Sequence, residues 1–181
     1  MLQAKSEIRV DDDIVLRRFD HAADDAKYSA IIANHDHLLP WLPWADFYHE
    51  PADMTKYTES QIAEFDAGQQ FGYDIFYQDK FAGSLDLHGI SETNFHADIG
   101  YWLDKAYTGK GIMTRAVAAI TQYAFDELNM HRITISVAPE NVASRSVAER
   151  LNFTKEAHLK DEQFLIDKFY DTIVYAKIKE A

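Results

Sequence analysis

The sequence predicts one mixed α/β domain over residues 1–181, with its elements in the order β-α-α-β-β-β-α-β-α-β-β. Three observations predict it. First, the apolar period changes at a pair of glycines. Ile99, Tyr101 and Leu103 alternate with Gly100, Trp102 and Asp104, the period of a strand. From Ile112 the apolar residues recur at helical spacing through Ala116, Ile120, Tyr123, Ala124 and Leu128, with Gly109 and Gly111 at the switch. Second, another alternating run, Arg132 to Val137, follows that helix. Strand, crossover helix and strand imply a parallel pair. Third, 47% of the residues are hydrophobic and 13% aromatic, enough apolar surface for one sizeable core.

Each element has its own signal. Asp13 to Phe19 reads as the first strand, with Ile14, Val15 and Leu16 apolar. Asp20 is placed to cap a helix over His21 to Asn34. Leu38 to Tyr48 carries two prolines and reads as an aromatic loop. A second helix, Ala52 to Ala67, has Pro51 near its start and Gly68 at its end. Phe71–Gln78 and Phe81–Leu87 flank Asp79-Lys80 as a hairpin. Ser91 to Asn94 is a polar turn before the central strand, and the central helix runs to Asn129. A short helix spans Ala143 to Leu151, closed by Asn152. Phe153–Lys160 and Phe169–Lys177 make a final antiparallel pair.

Composition excludes several functions. There is no cysteine, so no disulfide and no thiol nucleophile. No apolar run reaches the roughly 20 residues that cross a bilayer, and the N-terminus lacks a signal-peptide core. These absences favour a cytoplasmic protein with no membrane partner. A net charge of −12 argues against nucleic-acid binding. It suits solubility, or attraction of amine-bearing partners. His35, His37 and His49 with Asp36 and Asp46 lack a tight ligand pattern, so no metal site is expected.

The glycine switch has two readings. A helix that opens after glycines offers unpaired N–H groups and a positive dipole end, which makes Thr108 to Thr114 a phosphate cradle. Alternatively the glycines serve turn geometry alone. The Trp41 and Trp44 loop likewise reads as a latch between helices or as a wall of an acceptor pocket.

The stretch Gly100-Tyr-Trp-Leu-Asp-Lys-Ala-Tyr-Thr-Gly-Lys-Gly-Ile-Met-Thr114 resembles the GNAT acetyltransferases. Asn141-Val-Ala-Ser144, Glu149-Arg-Leu-Asn-Phe153 and the terminal Tyr170-Asp-Thr-Ile-Val-Tyr-Ala-Lys strengthen the match. Within the family the chain is most similar to the RimL-type, ribosomal-protein-serine branch. The resemblance implies a mostly antiparallel sheet of about seven strands with a splayed parallel pair, flanked by four helices. It implies acetyl-CoA as co-substrate. Backbone amides of Thr108, Gly109, Lys110, Gly111, Ile112, Met113 and Thr114 would hold the pyrophosphate. The strand edge at Tyr101, Trp102 and Leu103 would pair with the pantetheine arm, and Asn141 would reach it or cap the next helix. Lys110 and Arg115 would meet outer phosphates or simply face solvent.

Four positions depart from the family pattern. Thr108 and Met113 replace the usual residues of the phosphate signature, but backbone donors survive both changes. Ala148 stands where many members have a tyrosine acid; the RimL-like branch has a serine instead, which this chain keeps as Ser144 and which would protonate or hydrogen-bond the CoA sulfur, unless it only caps its helix. Gln163 stands where the branch has a glutamate, so the general base is unassigned, with Glu162 and Asp98 as weak candidates.

An α-amine has a reference pKa of about 7.7–8.0, against about 10.4 for lysine, so it loses a proton without a strong base. That favours a protein N-terminus as acceptor, although the acidic ribosomal stalk protein gains no steering from a −12 enzyme. A polyamine, amino sugar or toxin is the second acceptor class, and a non-catalytic acyl-CoA sensor the third reading. A homodimer is possible through Leu165-Ile166 or the aromatic loop.

Overall fold

Eight strands form one sheet in the computed structural model, which describes residues 2–180. In chain order the elements are β1 (Glu7–Arg9), β2 (Ile14–Arg18), α1 (Asp24–Ala33), α2 (His35–Leu38), α3 (Pro51–Asp66), β3 (Phe71–Tyr77) and β4 (Lys80–Ser91). They continue with β5 (His96–Leu103), α4 (Ile112–Asp126), β6 (Arg132–Val137), α5 (Val142–Arg150), β7 (Thr154–Leu165) and β8 (Lys168–Ile178). The expected seven strands become eight because β1 is three residues long, too short to show a period. The expected four helices become five because the aromatic loop begins with the single turn α2 and holds a 3₁₀ turn at Pro43–Phe47. Asp20 does cap, accepting from Ala22 N–H, but the first turn it starts is 3₁₀ and α1 begins at Asp24. Among the described residues no helix is long and apolar enough to cross a membrane.

The sheet order is β1-β2-β3-β4-β5-β6-β8-β7, and every pair but one is antiparallel. The exception is β5 with β6, which pair in parallel only at His96–Arg132, Ala97–Ile133 and Asp98–Thr134. Beyond Asp98 the two strands part, as the family resemblance implies. Each stays bonded to its other neighbour: β5 to β4 as far as Leu103–Gly83, and β6 to β8 as far as Val137–Ile173. The gap is therefore held open from both sides.

Alternation assigns the two faces of the sheet. Tyr73 faces α4, since its hydroxyl and the Tyr123 hydroxyl both bond the Lys5 backbone. Asp74, one residue on, faces α1 and meets Lys27. Helix α4 buries Ile112, Ala116, Val117, Ile120 and Ala124 in the main core with Leu16, Leu85, Ile99 and Ile133. Each such large side chain contributes about 1.5–3 kcal/mol. A smaller cluster on the opposite face joins Ile31, Leu38, Ala45, Tyr48, Met54 and Trp102. It fixes the aromatic loop against β5.

Candidate active site

Where β5 and β6 part, a cleft of about 810 Å³ opens. Its walls are the free half of β5, the end of β6, the glycine turn with the first turn of α4, the start of α5, part of the aromatic loop, and Gln163 and Leu165 of β7.

The glycine turn fits an anion. Gly109 and Gly111 have φ of 77° and 70°, values that suit glycine, and no atom lies within 4 Å of where a Cβ would stand. Among the described residues no protein acceptor meets the N–H groups from Gly109 to Thr114. The helical ladder begins with Arg115 N–H on the Gly111 carbonyl at 3.1 Å. Donors, dipole and open space coincide, which is what a diphosphate requires. Thr108 is no free donor: its N–H and its hydroxyl both bond the Lys105 carbonyl, at 3.2 and 2.8 Å.

Across the cleft, the Tyr101 phenol donates to the Ser144 carbonyl at 2.9 Å and accepts from the Ser144 hydroxyl at 3.1 Å. Burial pushes the phenol up to about 12, so it is neutral and able to donate. Asn141 caps α5, its side-chain oxygen accepting from Ser144 N–H at 3.1 Å.

The family described as Acetyltransferase (GNAT) domain matches residues 13–154, most of the chain. The chain belongs to the GNAT acetyltransferase family. The ribosomal-protein-serine acetyltransferase of Escherichia coli (strain K12) is 30% identical over 151 residues, covering 83% of this chain and 84% of its own. A structure of RimL, the ribosomal L7/L12 alpha-N-protein acetyltransferase, in complex with coenzyme A matches with a TM-score of 0.92 at 30% identity, over 95% of this chain and 97% of its own. The microcin C7 self-immunity acetyltransferase MccE, in complex with acetyl-CoA and AMP, matches with a TM-score of 0.93 at 28% identity, over 97% and 98%. GNAT enzymes use acetyl-CoA as co-substrate, and this chain is an acetyl-CoA-dependent N-acetyltransferase of that type.

Within this GNAT fold, Tyr101, Trp102, Leu103, Thr108, Gly109, Gly111, Ile112, Met113, Thr114, Asn141 and Ser144 all line the cleft. Lys110 does not. Its ammonium lies 5.1 Å from the Tyr107 ring centre and 5.8 Å from that of Tyr77. Arg115 lines the cleft with its charge already paired to Asp11 at 2.6 Å. Trp102 gives the cleft its backbone edge, while its ring packs on the other face against Phe81 and Trp44. Trp41 is a cleft wall, but Trp44 lines a second cavity behind β5.

Neither weak base candidate lines the cleft: Glu162 is exposed on β7, and Asp98 is beside His96 at 3.4 Å. Ala148 is fully buried, so α5 presents no acid there. Leu165 is buried at the cleft rather than displayed on its hairpin. Among the described residues no three His, Asp or Glu are grouped to hold a metal.

Sequence reasoning missed the second cavity and, within it, the contact of Asp86 Oδ1 with His88 Nδ1 at 2.6 Å. Asp-Leu-His on a strand puts both polar groups on one face, and that was the available signal.

Proposed function

We propose that the enzyme acetylates a protein N-terminal α-amine, of the ribosomal-protein-serine type. The observation that carries this reading is Gln163 in the cleft wall, at the place the branch's carboxylate would take. Without a strong base there, an amine that is partly neutral near pH 7 is the acceptor that suffers least. The relatives named above as ribosomal-protein acetyltransferases support the same acceptor class.

In this reading the N–H groups from Gly109 to Thr114 bind the diphosphate, and the free edge of β5 pairs with the pantetheine amides as an added strand would. Acetyl-CoA supplies a thioester whose carbonyl the amine attacks. Ser144, at the mouth of α5, hydrogen-bonds or protonates the departing sulfur once its proton turns from the Tyr101 oxygen. The exposed apolar tip formed by Phe164, Ile166 and Phe169 is the surface where a second copy would dock. Light scattering of a Phe164→Asp, Ile166→Asp variant against the parent tests it.

A small-molecule amine is the second reading, favoured by the aromatic lining of the cavity behind β5. One acceptor panel separates them. Serine-initiated peptides with free and with blocked N-termini, lysine-bearing peptides and polyamines are compared by CoA release. Acetylation of the free N-terminus alone supports the first reading. Preference for polyamines or internal lysine overturns it.

A further inference from the structure

The second cavity, about 440 Å³, faces the side of the sheet that carries Ser84, Asp86, His88 and Trp102. Its wall is a chain of edge-on rings: Trp102 to Trp44 at 6.2 Å, Trp44 to Tyr48 at 6.0 Å and Tyr48 to Tyr57 at 6.0 Å. Such a wall accommodates a cation or an apolar side chain. Its polar side is the Asp86–His88 couple. His88 is half exposed, and among the described residues its Nε2 has no partner.

Gly100 is backbone common to this cavity and the acetyl-donor cleft. It stands two residues past the last β5–β6 pair. Gly100 is also the register partner of Asp86. A Cβ at position 100 would come 3.2 Å from Asp86 Oδ2 and 3.4 Å from His88 Cε1. The couple therefore rests against the bare backbone that lines both spaces.

We propose that this cavity receives the acceptor and that His88 Nε2 takes the proton the attacking amine must lose. The proposal rests on the amine-acetylation reading and supplies the base that Gln163 does not. Asp86 is a positioning residue. Its bond to Nδ1–H leaves Nε2 as the lone-pair nitrogen. The ammonium gives one proton to His88, its nitrogen lone pair forms the bond to the acetyl carbon, and the carbon–sulfur bond breaks. The nitrogen's second surplus proton accompanies the sulfur as thiol, and His88 returns its own to water. Acetyl-CoA and ammonium thus become amide, free CoA and one proton.

The electrostatics suit this role. The bond to Asp86 raises the His88 imidazole, burial opposes that, and the charges of Asp86 and Asp98 add to it. From α1, Lys27 faces the cavity with its charge paired to Asp74. Tyr48 and Tyr57, from the aromatic loop and α3, are kept neutral by burial. A base raised toward the pKa of an α-amine is well matched to it.

Steady-state kinetics with acetyl-CoA and a serine-initiated hexapeptide, with spermidine in parallel, test the assignment. In the parent, kcat/KM rises with pH through the His88 titration and then levels. His88→Gln loses about 10²-fold in kcat/KM together with that acid limb. Asp86→Asn moves the limb to lower pH. Trp44→Ala raises acceptor KM about tenfold with acetyl-CoA affinity unchanged.

Independently of turnover, imidazole NMR of the unliganded enzyme is expected to place the His88 titration above the ordinary histidine range in the parent and lower in Asp86→Asn. A folded His88→Gln variant with unaltered rate and pH profile overturns the role of His88 alone. If His88→Gln does not fold, an acid limb unmoved in Asp86→Asn overturns it instead. A parent that binds acetyl-CoA yet acetylates no amine overturns both this proposal and the reading it rests on.

Discussion

The Tyr101 phenol and Ser144 exchange two hydrogen bonds, at 2.9 Å to the serine carbonyl and 3.1 Å from the serine hydroxyl. One strand and one helix, 43 residues apart in sequence, are tied across the cleft by this exchange. The serine proton is thereby directed at the neutral phenol oxygen.

That relationship separates two substitutions. Ser144→Ala keeps the bond from Tyr101 to the backbone carbonyl, so stability changes by about 1 kcal/mol or less. Turnover falls about 10²-fold if the hydroxyl serves the leaving group. Tyr101→Phe loses both bonds and leaves the Ser144 carbonyl without that donor, at about 1–3 kcal/mol. Thermal melts and steady-state kinetics on both variants check this, and unchanged turnover in a folded Ser144→Ala removes the serine from the chemistry.

Gly111→Ala tests the cradle. A φ of 70° costs an alanine about 1–2 kcal/mol, yet its Cβ meets no protein atom. The methyl group would instead project into space that the diphosphate is proposed to occupy. Stability should fall modestly while acetyl-CoA affinity falls by about tenfold or more, a ratio that corresponds to about 1.4 kcal/mol. Calorimetric titration beside a melt tells the two apart, and undiminished affinity would refute the cradle.

The buried pair Lys27–Asp74, 3.0 Å apart and at most 2% exposed, predicts an asymmetry. The ammonium also lies 3.8 Å from the Phe19 ring centre. Asp74→Asn strands this cation and should cost about 3–5 kcal/mol. Replacing both partners, as Lys27→Met with Asp74→Leu, should cost much less. Urea unfolding of the single and double variants reads this directly, and a double variant as unstable as the single one would contradict it.

Acid should loosen the β7–β8 hairpin first. The Asp171 carboxylate accepts from Lys160 at 2.7 Å, from Asp161 N–H at 3.1 Å and contacts His158 at 2.7 Å. The Lys160 bond and then the backbone bond hold it down at about 2, below the ordinary 3.8. A lowered carboxyl stabilises the fold above its unfolded pKa, and the benefit disappears as pH falls from about 4 through about 2. Hydrogen exchange of β7 amides across that window should quicken in the parent and respond less in Asp171→Asn.

Much of the architecture was legible in local pattern. The central helix announces itself in Ile112, Ala116, Ile120 and Ala124, and the glycines before it mark the turn, because periodicity and backbone freedom are properties of neighbouring residues. Edges were harder to read. Strand β1 is three residues long and owes its form to pairing with β2 through Glu7–Arg17, Ile8–Leu16 and Arg9–Val15. Lys110 looked like a phosphate contact by position, but rings from β3 and the turn before it draw its ammonium aside.

The sequence by itself determined the strand–turn–helix signature, its family, and the acetyl-CoA chemistry that goes with it. Tertiary structure alone decided that the splay of β5 from β6 begins at Asp98, that Trp44 lies behind β5 while Trp41 faces the cleft, and that Asp86 and His88 press against Gly100. The reason is range. Period and turn chemistry are set by residues a few positions apart, whereas the β4–β5 register that sets Asp86 opposite Gly100 joins residues 14 apart in a bulged ladder that no local pattern encodes.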